Sequence, residues 1–389
     1  MPFSESRSRR SMLLLAGLAV LVSIFVLAAI GQQAPANPVD VNAVTVLATV
    51  RDKHGNIVDS LSLNDFVLDE DGRPQSIRYF SRETDLPLTL GLLIDTTSSQ
   101  RQLLDQERSA SGHFIDQVLR EDDQDKAFLI HFDRQVELLQ DLTPSKQKLN
   151  DALDLLQQPQ FRRNEDDPSS SGEGYPRNSG RSLLGGTLLY DSVYLASNEL
   201  MLKRQGHKAI VVLSDGVDFG SKVTLERAIE SAQRANTVVY SILLPSMQGS
   251  GNGGSSGRGP GGMGGPTGGP TGRRGPGYPP RSPQPQKGRP DGKKILERIT
   301  KETGGRMFDV SKESSRKETL KETVYQIYQR INQDIRHRYS LVYVPDRPGS
   351  ASEYHKIHVT TMRKDLVVQT RDGYYPAKQL DAKQEKERN

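Results

Sequence analysis

Three oxygen-bearing side chains, Asp95, Thr97 and Ser99, stand at alternate positions directly after the apolar run Leu90-Gly91-Leu92-Leu93-Ile94. A carboxylate and two hydroxyls form a hard donor set, which suits Mg²⁺ or Mn²⁺ far better than Zn²⁺, and no Cys or His lies among them. Octahedral Mg²⁺ takes about six oxygens at roughly 2.0–2.1 Å, so other segments must add donors. Thr187, opening a helical stretch behind Gly185-Gly186, and Asp215, in Ser214-Asp215-Gly216 after the apolar run Ala209 to Leu213, are the candidates. A position left open on such an ion would take an acidic side chain from a partner, its carboxylate replacing a bound water.

These donors need a scaffold that brings them to one place. The run entering Asp95 reads as a strand buried on both faces. Leu103, Ala110, Phe114 and Val118 share a helical face, and Lys126 to Phe132 and Gln135 to Leu142 read as strands joined by a tight turn at Asp133-Arg134. That hairpin predicts one antiparallel edge. Helices are expected at Ser145 to Leu156, from Leu189 through Val193 and Ala196 to Leu200, and at Leu225 to Ala235. A strand follows at Thr237 to Leu244, then a short helix around Ile295, Leu296 and Ile299 and an edge strand at Arg306 to Val310. The alternation predicts a Rossmann-like α/β domain over 87–312, a mostly parallel sheet with helices on both faces. Ligands of such sheets gather at the carboxyl ends of the strands, so the five oxygens are expected on one rim.

The flanks differ in composition. Residues 40–82 alternate apolar and polar and predict a small β module, with Asp69-Glu70-Asp71-Gly72-Arg73-Pro74 as a dense turn. This acidic turn lacks the following bidentate Glu of an EF-type calcium loop, and its Gly-Arg-Pro ending closes a hairpin. Residues 313–376 predict a long amphipathic helix (Leu320, Val324, Ile327, Ile331, Ile335) and C-terminal strands at Tyr339 to Val344, His355 to Thr361 and Leu366 to Gln369. His355 and His358 fall on opposite faces of a strand, which argues against their binding one ion together. Residues 158–184 form a polar irregular loop. The Gly/Pro-rich insert 248–290 cannot bury enough apolar surface to offset its ordering entropy and is expected to be a disordered region that shields or extends the rim. Residues 377–389 are a charged tail.

The 389 residues carry 52 basic against 48 acidic side chains, a net charge of +4 that is no argument for nucleic acid. The absence of cysteine excludes a disulfide framework, a thiolate zinc site and a thiol nucleophile. Arg7, Arg9 and Arg10 precede an uncharged, mostly apolar run from Met12 to Ile30, so 1–31 reads as a signal peptide or an uncleaved signal anchor. Either reading places the rest outside the cytoplasm, secreted, periplasmic or held at the membrane only by that segment. Export also makes the Arg258, Arg273 and Arg274 tract a linker rather than an RNA-binding element.

The set Asp95-x-Thr97-x-Ser99, Thr187 and Asp215 resembles the metal-ion-dependent adhesion site (MIDAS) of von Willebrand factor type A (VWA) domains, whose pattern is D-x-S-x-S, then a Thr, then an Asp. It departs at Thr97, which keeps the hydroxyl and adds a methyl group. With V-T-V-x-A-T-V-R-D-K-H-G near the start and R-Y-S-L-V-Y-V-P and R-D-G-Y-Y-P near the end, the whole exported chain is similar to the acidobacterial-type VWFA-related domain proteins. The resemblance implies a Rossmann-like fold, adhesion-type protein binding and a Mg²⁺ or Mn²⁺ ion. Two other readings stand beside it. A Mg²⁺-dependent phosphoryl-transfer enzyme is disfavoured, because the second acid of the aspartate-phosphatase pattern is replaced by Thr97. A scaffold with an empty metal site is the other. No G-x-S-x-G, phosphate loop or zinc-spaced histidine pair points to catalysis.

Overall fold

A computed structural model describes residues 43–376 apart from 84–85, 101, 121–123, 157–185, 246–290, 315–317, 348 and 351. The expected export segment 1–31, polar loop 158–184, Gly/Pro-rich insert 248–290 and charged tail 377–389 lie outside the described residues. Four strands come first: β1 (Val44–Asp52), β2 (Phe66–Glu70), β3 (Arg73–Gln75) and β4 (Ile77–Glu83). The central segment runs β5 (Leu88–Asp95), α1 (Leu104–Val118), β6 (Lys126–Phe132), β7 (Val136–Thr143), α2 (Lys146–Asp154) and α3 (Leu189–Leu195). It continues with β8 (His207–Ser214), α4 (Leu225–Arg234), β9 (Val238–Leu243), α5 (Gly292–Thr303), β10 (Met307–Asp309) and the short α6 (Val310–Glu313). The chain then forms α7 (Leu320–Arg336), β11 (Arg338–Tyr343), β12 (His355–Thr361), β13 (Leu366–Gln369) and β14 (Gly373–Tyr374).

The central sheet has the order β10-β9-β8-β5-β6-β7, parallel throughout except for the β6 to β7 edge hairpin. All residues of β5 and β8 are buried, as expected for strands covered on both faces. Alternate side chains serve two cores. Leu88, Leu90, Leu92 and Ile94 join Phe114 and Ile115 of α1, Leu149 of α2 and Val324 to Ile335 of α7 on one face. Leu93, Ile130, Ile210 and Val212 meet Val193, Ala228, Ile229, Leu296 and Ile299 of α3, α4 and α5 on the other. Gly91 is required in β5 because the Phe128 ring of β6 lies where a Cβ would come within 2.4 Å of it.

Strands from the two ends of the chain pair with one another. One sheet has the order β13-β1-β11-β4 and another β14-β12-β2-β3, and their apolar faces form a third core around Val46, Val50, Phe66, Leu68, Tyr339, Leu341 and Val359. Helix α7 joins this sandwich to the central sheet: Tyr328 stacks on Phe114 at 4.1 Å, and the chain passes directly into β11. Buried Asp334 of α7 pairs with Arg51 of β1, while Arg338 of β11 donates to the Tyr240 hydroxyl of β9 at 2.7 Å. The acidic run Glu121-Asp122-Asp123-Gln124-Asp125 reads from its sequence as a solvated helix exit rather than a second metal site, but its last residue, Asp125, is fully buried. It accepts from the Leu88 amide at 2.8 Å and pairs with Arg120 and Arg336, fixing the start of β5.

Candidate metal centre

Strand register brings the first donors together. Asp95 is the last residue of β5 and lies level with Phe132 of β6, while Ile94 pairs with Leu213 of β8. The strands are parallel, so the three chain segments leave the sheet on one rim. Asp95 and Ser214 share a face by the two-residue period of strands, and the Ser214 hydroxyl donates to Asp95 Oδ2 at 2.6 Å. Ser214 itself accepts from the Gly216 amide at 3.0 Å, which ties the turn after β8 to the end of β5.

The loop after β5 folds over its own carboxylate. The Thr97 amide and hydroxyl both donate to Asp95 Oδ1, at 3.0 and 2.6 Å. The hydroxyls of Thr97 and Ser99 lie 3.0 Å apart, and Ser99 donates to Asp215 Oδ2 at 3.2 Å. Asp215 Oδ1 accepts from the Val217 amide at 3.1 Å. Four of the five sequence-derived donors are thus linked side chain to side chain. Thr187 stands on the same rim, its backbone paired with Phe219, which follows Asp215 in the same loop, and the Leu188 amide donating to Asp133 O just beyond β6. Among the described residues no hydrogen bond ties its hydroxyl to the other four. Asp218 holds this loop to the first turn of α3 by accepting from the Tyr190 amide at 3.1 Å.

A close backbone approach sets the Asp215 turn. Gly216 has φ +78°, and a Cβ there would lie 2.2 Å from Gly292 O at the start of α5; a Cβ on Gly292 would lie 2.1 Å from Asp215 O. Only glycine at both positions lets the two segments meet.

The electrostatics favour a cation. Asp95 is fully buried, and burial raises its carboxyl to about 6, opposed by the bonds from Ser214 and Thr97 and reinforced by the Asp215 charge. Among the described residues no lysine, arginine or histidine pairs with Asp95 or Asp215. Behind them Glu107 of α1 is wholly buried, both carboxylate oxygens lack a hydrogen-bond partner among the described residues, and burial together with Asp95 holds it well above the usual range. Two carboxylates and the hydroxyls of residues 97 and 99, gathered with no paired cation among the described residues, fit a small hard dication by donor type and by charge.

Ser214 and Glu107 escaped sequence reasoning. The serine was visible only as the neighbour of Asp215, although its even spacing along β8 put it on the Asp95 face. Glu107 lies on the apolar stripe of α1, four residues after Leu103 and three before Ala110, and that place on the buried face was the signal for it.

The sheet order, its single antiparallel edge and the rim drawn from three loops define the fold as that of a von Willebrand factor type A domain. No protein-family model and no curated protein matches the chain. Among solved structures it is similar to an aerotolerance-related membrane protein from Bacteroides fragilis NCTC 9343, at 16% identity over 64% of this chain and 98% of that one, with a TM-score of 0.35. It is also similar to proximal thread matrix protein 1 of the mussel byssus with a zinc-occupied MIDAS motif (10% identity, 66% and 50% of the two chains, TM-score 0.37). A third is the SpRpn10 VWA domain, at 12% identity over 62% of this chain and 95% of that one, TM-score 0.33.

Proposed function

We propose that the protein is an exported, non-enzymatic binding protein that holds Mg²⁺ or Mn²⁺ through Asp95, Thr97, Ser99, Thr187 and Asp215 and captures an acidic side chain of a partner protein. The observation that carries this reading is the unbroken side-chain path from Asp95 through Thr97 and Ser99 to Asp215, with two carboxylates at its ends that pair with no lysine, arginine or histidine among the described residues. When bound, the ion supplies an electrophilic position that accepts a carboxylate. The chain's own groups prepare for it. Ser214 and the Thr97 amide orient the Asp95 carboxylate, and the glycine contact at 216 and 292 holds the Asp215 turn. Thr187 belongs to the set by its pattern and its place on the rim. Export is supported by the arginines at 7, 9 and 10 before the apolar run to Ile30, and the metal-bearing domain is taken as 87–312.

The test is capture of partner proteins by the full chain in Mg²⁺, in chelator, and with Asp95→Ala. Partners retained in Mg²⁺ and lost in both other arms support the reading; a partner set indifferent to chelator and to the substitution overturns it.

A further inference from the structure

We propose that Glu70, Asp71 and His355 form a second divalent-cation site, of the zinc class, in the terminal β-sandwich. β2 ends at Glu70, and the pairing of Glu70 with Arg73 leaves Asp71-Gly72 as a two-residue hairpin loop with φ of 50° and 74°. β12 begins at His355 and runs antiparallel to β2, with Ile357 opposite Glu70. The result sets both carboxylates against one imidazole.

Glu70 is fully buried. Its Oε2 accepts from the Tyr343 hydroxyl and, at 3.3 Å, from the Tyr374 hydroxyl, whereas Oε1 has no hydrogen-bond partner among the described residues and lies 3.4 Å from His355 Nδ1. Asp71 Oδ2 stands 2.9 Å from the same nitrogen, and its Oδ1 accepts from the Lys356 amide at 2.9 Å. His355 is 5% exposed. Gly349 closes off Nε2, since a Cβ at 349 would lie 1.9 Å from that atom, so Nδ1 is the nitrogen offered to the carboxylates. Among the described residues no lysine or arginine forms an ion pair with Glu70 or Asp71.

One imidazole nitrogen and two carboxylate oxygens, all within 4.8 Å of one another, are a mixed donor set. Such a set selects Zn²⁺ and its relatives over Mg²⁺ or Ca²⁺, which prefer oxygen alone. Zinc bonds to nitrogen and oxygen are about 2.0–2.2 Å, which puts tetrahedral ligand atoms roughly 3.3 Å apart, close to the spacings here. The two tyrosine hydroxyls fix one oxygen of Glu70 and turn the other toward the site, the part that outer hydrogen-bond partners play around metal ligands. Asp71 is 36% exposed along its side chain and gives an ion a route in from solvent. The competing arrangement, a protonated His355 shared by two carboxylates, has the same contacts and binds no metal.

Cobalt separates the two. The full chain carrying Asp95→Ala is titrated with Co²⁺ in excess Mg²⁺, following the intense visible bands of four-coordinate cobalt. The account expects saturable bands, displaced by Zn²⁺, with affinity at least about tenfold weaker in Glu70→Gln and His355→Gln added to that background. Asp71→Asn keeps a residue suited to the left-handed turn and so reports even where the buried variants misfold; it should weaken Co²⁺ by a similar factor. Absence of bands in the Asp95→Ala protein, or unchanged affinity in Asp71→Asn, overturns the proposal.

Discussion

Ser99 and Asp215 stand 116 positions apart in the chain, and the hydroxyl of the first donates to a carboxylate oxygen of the second at 3.2 Å. This contact joins the loop after β5 to the loop after β8 and brings the second carboxylate to the buried Asp95. Replacing Ser99 by Ala removes a donor from the rim but little packing. Mg²⁺ affinity by calorimetry should fall at least about tenfold while stability changes by less than about 1 kcal/mol. Unchanged affinity would remove Ser99 from the ligand set.

Thr97 departs from the serine of the VWA pattern only by a methyl group, and its hydroxyl is what Asp95 uses. Thr97→Ser should therefore bind Mg²⁺ as the natural chain does. Thr97→Val, of equal shape, withdraws a hydrogen bond from a buried carboxylate, which costs about 1–3 kcal/mol of stability, and weakens Mg²⁺ as well. The pair is read by denaturant titration with and without the ion; equal behaviour of Ser and Val would show that the hydroxyl is idle.

The raised Asp95 carboxyl sets a pH dependence with a definite sign. Its value of about 6 lies above the ordinary 3.8, so the folded state holds this proton more tightly than the unfolded state. The stability it contributes is complete below about pH 4 and is lost as pH rises to about 6, a change on the order of 3 kcal/mol. Subtracting the pH profile of Asp95→Asn from that of the metal-free protein should reveal this loss, and Mg²⁺ should offset it. A difference profile that rises with pH over the same interval would contradict the assignment.

Glu107 tests the same electrostatics from behind the rim. Its buried, unpartnered carboxyl group is a burden on the fold, so Glu107→Met should raise the stability of the metal-free protein at neutral pH by about 1–3 kcal/mol. Chemical denaturation measures it. A loss of stability would mean that the carboxyl group has a partner the fold depends on.

Gly292 carries the contact that shapes the Asp215 turn. A methyl group there would lie 2.1 Å from Asp215 O, and backbone cannot yield as a side-chain end can. Gly292→Ala should destabilise the protein by about 1–3 kcal/mol and weaken Mg²⁺, although alanine is the better helix former. Thermal melts with and without Mg²⁺ read both effects; a more stable variant with full affinity would show that the turn is set elsewhere.

Much of this architecture was legible in local pattern. The apolar run before Asp95 marked a doubly covered strand, the Asp133-Arg134 turn marked the antiparallel edge, and the spacing of Leu320 to Ile335 marked α7. That the side chains of residues 95, 97, 99 and 215 would meet on one rim was legible because each follows an apolar strand. What escaped was contact between remote segments. Nothing in Val44 to Asp52 announces that β1 pairs with β11 and β13, and the spacing of His355 and His358 gave no hint that Glu70 and Asp71 face the first of them. Asp125 misled because an acidic run usually faces water, whereas here Arg336, from a helix 211 positions later, buries and pairs it.

The central claim is that the hydroxyls and carboxylates of residues 95, 97, 99, 187 and 215 surround one divalent ion on the rim of the sheet. Crystals of the full chain grown in Mn²⁺ and measured for anomalous scattering test it most directly. The account predicts an anomalous peak between Asp95 and Asp215, bordered by the hydroxyls of Thr97, Ser99 and Thr187. A rim free of anomalous density at saturating Mn²⁺, or a peak there with the Thr187 hydroxyl turned away, would contradict it.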